Sequence, residues 1–136
     1  MQLCFALYAA GLAMNKVYRA QLKPLGITYP QYLVMMVLWE HHNLSVSEIG
    51  EKLLLDSATL TPLLKRLETA GLVTRLRSRQ DERHVVVSPT ARGLALQAKA
   101  AKVQESVFCA TQCTPHELIH LKDELQSLRN RLASDD

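Results

Sequence analysis

The stretch from Ser57 to Leu72, SATLTPLLKRLETAGL, decides the fold. It contains leucines spaced i, i+3, i+4 and i+7, at Leu60, Leu63, Leu64 and Leu67. That spacing predicts an amphipathic helix with one buried face. Asp56 or Ser57 can cap its start, and Gly71 stands where the end of a helix favours a left-handed residue.

After Gly71 the pattern changes from a helical period to alternation. Residues 73–78 and 84–88 have the alternation and the β-branched content of strands, and a charged segment separates them. We expect a two-stranded β-hairpin with a charged tip.

Five further helices are predicted around this centre. Three begin with a capping box, in which Ser or Thr is followed three residues later by Glu or Gln: Thr28 with Gln31, Ser45 with Glu48, and Thr114 with Glu117. The predicted ranges are a first helix ending before residue 23, then 28–41, a short helix from 45 to about 54, 90–109, and a terminal helix from 114.

Two short helices followed by a basic hairpin have the order of a winged helix-turn-helix. We predict one mainly α domain over residues 1–136, with a small β-hairpin wing and a winged-helix core over about 28–89. Dimerisation helices are expected over about 1–24 and 90–134. The terminal helix has the narrow apolar stripe of a helix that pairs with another helix, formed by Leu118, Leu121, Leu125, Leu128 and Leu132.

Composition excludes several classes of protein. A chain that is 48% apolar can bury a core, so it is not disordered. No apolar stretch approaches the roughly 20 residues of a membrane helix. Three cysteines are an odd number without framework spacing, which argues against a disulfide-stapled secreted domain. We therefore expect a soluble, cytoplasmic protein.

The net charge of +3 lies in one short segment. Residues 65–83 contain six Lys or Arg and three Asp or Glu, and the rest of the chain is balanced, ten against ten. A local excess of this kind is expected where a surface meets a phosphate backbone. The predicted DNA contacts are Ser57, Thr59, Thr61, Pro62, Lys65 and Arg66 on the helix, and Arg75, Arg77, Asp81 and Arg83 in the hairpin. Short hydroxyls let the helix approach the major groove, wing arginines suit the minor groove, and Asp81 would orient Arg79 or Arg83.

The residues also resemble a known family. The run 57–72, with Asp81-Glu82-Arg83 and Thr90-Ala91-Arg92-Gly93, resembles the MarR family of dimeric winged-helix regulators. The segments LCFALY (3–8), GITYPQY (26–32) and LDS (55–57) resemble its OhrR-type members, which are repressors that sense organic hydroperoxides. The resemblance implies a homodimer, double-stranded operator DNA as partner and organic hydroperoxides as inducers. It implies no enzymatic activity and no cofactor or metal.

The same resemblance implies a redox site. In OhrR-type proteins an amino-terminal cysteine is the peroxidatic sensor and two tyrosines hydrogen-bond it, which by position are Cys4, Tyr18 and Tyr29. Oxidation of Cys4 to a sulfenic acid would be followed by a disulfide with Cys109 of the other subunit, and the operator would be released. Cys113 would be a bystander.

Two alternatives remain open on the residues alone. Cys109, Cys113 and His116 have C-x3-C-x2-H spacing, which leaves a zinc-responsive regulator conceivable, although compact zinc motifs are spaced differently. A thiol peroxidase could use Cys4 as its nucleophile but would not need the basic hairpin.

Overall fold

The computed structural model describes residues 2–78, 80 and 84–134. The described chain is mainly helical, with helices α1 (Gln2–Leu22), α2 (Tyr29–His41), α3 (Val46–Leu53), α4 (Ser57–Thr69), α5 (Ala91–Thr111) and α6 (Pro115–Ala133). A short 3-10 turn, Lys23–Leu25, joins α1 to α2 and ends at Gly26, whose φ is +75°. No described helix has the length and apolarity that a bilayer span needs.

Local capping sets where the helices begin. All three predicted capping boxes are present, at the starts of α2, α3 and α6. The start of α4 is capped by Asp56, whose carboxylate accepts a hydrogen bond from the Thr59 amide at 2.8 Å. After α4, Gly71 has φ +78°, as the helix end requires. The predicted helices are therefore confirmed, with ends shifted by one or two residues.

The hairpin prediction is confirmed and extended by a third strand. Strands β2 (Val73–Arg77) and β3 (Val85–Pro89) pair antiparallel, with Arg75 opposite Val87. The sequence analysis predicted two strands, but β1 (Leu44–Ser45) pairs with the other edge of β3. A two-residue strand has no period of its own to detect. Its pairing ties the start of α3 to the wing.

The core lies between α2, the buried face of α4, the sheet and one side of α5. Its fully buried members include Tyr32, Met35, Leu38, Leu64 and Val87. At its edge the Trp39 indole donates a hydrogen bond to the Gly93 carbonyl at 2.9 Å. Gly93 has no room for a side chain, because an added Cβ would lie 2.2 Å from the Leu72 carbonyl oxygen. The close approach of Gly93 to Leu72 holds the start of α5 against the end of the helix-turn-helix.

Two helices leave large apolar side chains exposed. The first half of α1 exposes Phe5 at 71% and Tyr8 at 67%, and α6 exposes Ile119 at 56% and Leu121 at 51%. Large apolar side chains that are exposed in groups favour an interaction site over a face that remains in water.

Candidate nucleic-acid interface and redox site

The fourth helix has the two faces that its sequence predicted. Its leucines at 60, 63, 64 and 67 are all buried. The six residues proposed to contact DNA are all exposed: Ser57, Thr59, Thr61, Pro62, Lys65 and Arg66. Hydroxyls stand in its first half and cations in its second. This arrangement can offer hydrogen bonds to base edges and charge to the flanking phosphates.

The wing strand β2 packs against α4 and carries two of the predicted arginines. Arg75 shares a strand face with buried Val73 and is half-buried, whereas Arg77 at the strand end is exposed. The Arg75 guanidinium donates to Glu68 Oε1 of α4 from Nε at 3.3 Å and from Nη2 at 3.0 Å. The two remaining predicted wing residues, Asp81 and Arg83, lie outside the described residues.

Sequence reasoning missed Glu68. It counted this residue only as one of three acidic groups in the basic segment, whereas in the fold it lies in an ion pair with Arg75. The pairing depends on how β2 folds back under α4, so spacing along the chain gives only a weak signal for it.

A cleft of about 550 Å³ opens where the wing, α3 and α4 meet. It is lined by Ser45, Val46 and Ser47 at the start of α3, Thr61 of α4, and Arg75, His84 and Val85 of the wing. Hydroxyls, an imidazole and a guanidinium around one opening suit a phosphate group.

The predicted sensor residues are not all brought together within one chain. The Tyr18 and Tyr29 rings stack, with centroids 4.5 Å apart, and Tyr32 lies beside Tyr18 at 5.5 Å. Cys4 is exposed on the same helix as Tyr18 but fourteen residues earlier, which is about 21 Å along the helix axis. In one chain, therefore, Cys4 cannot receive hydrogen bonds from this tyrosine pair.

The environment keeps these phenols protonated. Burial, with smaller effects of Tyr32 and Tyr29, raises the pKa of Tyr18 to about 12. Burial also raises the pKa of Tyr29. Both hydroxyls are thus hydrogen-bond donors at neutral pH, the form that can stabilise a thiolate.

The third tyrosine is buried more deeply. Burial raises the pKa of Tyr32, and the nearby Gln104 side chain offsets part of that rise without reaching hydrogen-bonding geometry. Within the described chain the Tyr32 hydroxyl has no hydrogen-bond partner.

Cys109 lies near the tyrosine end of the molecule. Trp39 at the end of α2 contacts Gly93 at the start of α5, and Tyr32 near the start of α2 lies close to Gln104, so the two helices run antiparallel. Cys109 follows Gln104 by five residues and is exposed, about 7 Å further along α5 towards the start of α2.

Cys113 is half-buried, and its thiol donates to the Thr111 carbonyl at 3.5 Å. The described ranges contain no group of three or more His, Cys, Asp or Glu able to hold a metal ion. The three residues of the C-x3-C-x2-H spacing, Cys109, Cys113 and His116, therefore do not form such a group.

A larger cavity, about 750 Å³, lies between α1, the start of α2 and α4. Arg19, Lys23 and Arg66 give it positive charge, and Tyr29 and Leu63 form part of an apolar wall. Cations over an apolar wall suit a small amphipathic anion.

Comparison with known proteins identifies the family. The MarR family model matches residues 27–85. The organic hydroperoxide resistance transcriptional regulator of Bacillus subtilis (strain 168) is 47% identical over 131 residues, which are 96% of this chain and 89% of that protein. The chain belongs to the MarR family. As a MarR-family protein it is a DNA-binding transcriptional regulator and not an enzyme, so the thiol-peroxidase alternative is set aside.

Solved structures of MarR-type proteins agree with this fold. The structure of reduced AbfR bound to DNA superposes with a TM-score of 0.80 at 38% identity, covering 97% of this chain and 92% of that one. The structure of disulfide-formed AbfR superposes with a TM-score of 0.69 at 38% identity, covering 93% and 89%. AbfR is a protein of Staphylococcus epidermidis.

Proposed function

We propose that this MarR-family protein is a repressor that leaves its operator DNA when an organic hydroperoxide oxidises Cys4. The similarity to a regulator of organic hydroperoxide resistance supports the inducer class. The solved relative that was studied reduced on DNA and in a disulfide form supports a redox-controlled DNA interaction.

The working unit is a homodimer built on α1 and α6. The exposed apolar residues of these helices, including Phe5, Ile119 and Leu121, need a partner, and a second copy supplies an equally apolar surface. A two-fold dimer presents two α4 helices to DNA half-sites about one helical turn apart.

The sensor is assembled from two chains. The observation that carries this proposal is the distance of about 21 Å between Cys4 and the Tyr18–Tyr29 pair along one helix. Pairing of α1 with the partner's helices brings Cys4 to the tyrosine pair of the other subunit. Both phenols then donate hydrogen bonds to the thiolate and favour its formation.

The proposed oxidation of Cys4 has two steps. The Cys4 thiolate attacks the terminal oxygen of the hydroperoxide and the O–O bond breaks, so that the OH group is transferred to sulfur as the sulfenic acid. The alkoxide that leaves takes a proton from water and departs as the alcohol. The Cys109 thiol of the partner subunit then displaces hydroxide from that sulfur, water leaves, and an intersubunit disulfide forms.

The location of Cys109 supports its resolving role. It is exposed at the end of α5 that lies beside the tyrosines, so a sensor cysteine that docks on those tyrosines arrives near it. Disulfide Cα atoms must lie about 4.4–6.8 Å apart, and we infer that the helices shift when the cysteines reach this distance. That shift changes the spacing of the two α4 helices and releases DNA.

The test is a gel shift on DNA from upstream of the gene, with and without cumene hydroperoxide. The reduced protein should bind and the oxidised protein should not, and Cys4→Ser should bind and ignore the peroxide. Cys113→Ser is the matched control and should respond as the unmodified protein does. Absence of specific binding by the reduced protein would contradict the repressor function, and a peroxide response in Cys4→Ser would contradict the sensor.

A further inference from the structure

We propose that Glu68, an acidic residue on the DNA-reading helix, is a positioning residue that holds the Arg75 guanidinium at the mouth of the cleft as a seat for a DNA backbone phosphate. This inference rests on the proposed DNA-binding function. It adds a carboxylate that strengthens binding to a polyanion, which charge alone would not predict.

The geometry restrains Arg75 from one side. Its Nε and Nη2 both donate to the same Glu68 oxygen, at 3.3 and 3.0 Å. Donation from two nitrogens to one acceptor fixes the plane of the guanidinium, since rotation about the last side-chain bonds would break one of the two contacts. Nη1 takes no part in this ion pair.

The cleft lies beside the restrained group. Arg75 lines it together with Thr61, His84 and the serines at 45 and 47. The ion pair joins α4 to β2, so the same contact aligns the helix that carries Thr61 with the wing that carries His84. A phosphate in the cleft would meet groups from three elements at once, which fixes the register of the protein on the duplex.

The charges decide between two roles for Glu68. An unpaired carboxylate near DNA repels phosphate, and its removal tightens binding to any sequence. A carboxylate that orients an arginine is neutralised by it, and its removal loosens a specific contact. The half-buried Arg75 side chain and the two hydrogen bonds favour the second role.

The experiment compares binding to two duplexes by fluorescence anisotropy. One is the duplex that the reduced protein selects from a randomised library, and the other is a scrambled duplex of equal composition. Glu68→Gln should bind the selected duplex roughly tenfold more weakly, the loss expected for one charged hydrogen-bonded contact. Its binding to the scrambled duplex should be unchanged or tighter. Glu68→Asp, which keeps the charge but is one methylene shorter, should lose affinity in the same way.

A double variant separates positioning from a merely structural role. In an Arg75→Gln background, Glu68→Gln should tighten binding, because there the carboxylate only repels phosphate. Glu51→Gln on exposed α3 is the matched control, and it should not weaken binding to either duplex. A partly exposed ion pair contributes little to stability, so the melting temperature should stay nearly constant across the set.

The outcomes distinguish the two proposals. If the unmodified protein selects no duplex, the DNA-binding proposal fails. If it selects one and Glu68→Gln binds that duplex as well or better, the positioning role of Glu68 is wrong and the repressor proposal stands.

Discussion

The helix-turn-helix and wing differ from the long helices at the two ends of the chain. In the first region the leucines of α4 are buried within the same chain, and the wing is pinned to α4 by Arg75 and Glu68. In the second, Phe5 and Leu121 are exposed, and Cys4 is distant from the tyrosines expected to activate it. One region thus buries its apolar residues within a single chain, whereas the other leaves them exposed and, in our proposal, depends on a second copy.

This difference separates the surface proposed to bind DNA from the site proposed to sense hydroperoxide. The DNA-reading surface needs a partner only to set the spacing between two such surfaces. The redox site needs the partner for its chemistry, because the thiol and the phenols come from different subunits in our proposal. We therefore propose that oxidation at the junction between subunits acts on the geometry that DNA binding requires.

Introducing charge on α6 tests whether the terminal helices form the dimer interface. The double variant Leu121→Asp/Leu125→Asp should be monomeric, because two carboxylates would be buried in the apolar interface. Loss of one of two half-site contacts should weaken operator binding by roughly 100-fold or more. Light scattering and a gel shift measure the two effects.

The control for this variant places a single Asp on the helix-turn-helix instead. Leu54, exposed at the end of α3, replaced by Asp should leave the protein dimeric. A dimeric Leu121→Asp/Leu125→Asp variant would show that α6 does not carry the interface.

A substitution that disturbs the packing of α5 against the end of the helix-turn-helix should instead reduce the stability of the fold. Gly93→Ala places a methyl group against the Leu72 carbonyl, and we expect a loss of about 2–4 kcal/mol in the free energy of unfolding. Urea denaturation measures it. Gln97→Ala, on the exposed face of the same helix, should change the free energy by about 0.5 kcal/mol or less. Equal stability of the two variants would mean that the contact at Gly93 is not tight.

Local features were predictable from the sequence because local contacts produce them. The capping boxes at Thr28, Ser45 and Thr114 need only four consecutive residues each, and the leucine period of α4 needs only its own helix. Strand β1 was missed because two residues become a strand only through pairing with β3.

The site was harder to predict because it depends on tertiary and quaternary contacts. The Glu68–Arg75 pair requires β2 to fold under α4. The separation of Cys4 from Tyr18 was available from the sequence, since fourteen residues of one predicted helix already imply about 21 Å. The sequence prediction named the residues of the proposed redox site and placed Cys109 on the other subunit, but it did not say which subunit supplies the tyrosines.

Removing a phenol tests whether the tyrosines stabilise the Cys4 thiolate. Tyr29→Phe should slow oxidation of Cys4 by cumene hydroperoxide roughly tenfold, because the thiolate loses one hydrogen bond. Stopped-flow measurement of the sulfenic acid provides the rate. Tyr32→Phe is the matched control, and it should leave the rate unchanged because the Tyr32 side chain is fully buried and, in our proposal, does not contact Cys4. The same slowing in both variants would point to a general packing effect.

The smallest effect concerns alkaline stability. The folded state raises the pKa of Tyr18 from 10.0 to about 12, so it holds this proton more tightly than the unfolded chain does. The resulting stabilisation is fully present below pH 10 and is lost as the pH rises towards 12. Tyr18→Phe should therefore flatten the fall in stability between those pH values in denaturation curves. An unchanged slope would remove Tyr18 as its source.

A mixing experiment tests the two-chain sensor most directly. Cys4→Ser and Cys109→Ser chains, carrying different tags, are co-expressed, treated with cumene hydroperoxide and run on a non-reducing gel. We expect a disulfide-linked heterodimer, because one chain supplies Cys4 and the other supplies Cys109, while Cys4→Ser alone should give no such species. Absence of a linked heterodimer, under conditions where the unmodified protein forms its disulfide, would contradict a sensor shared between subunits.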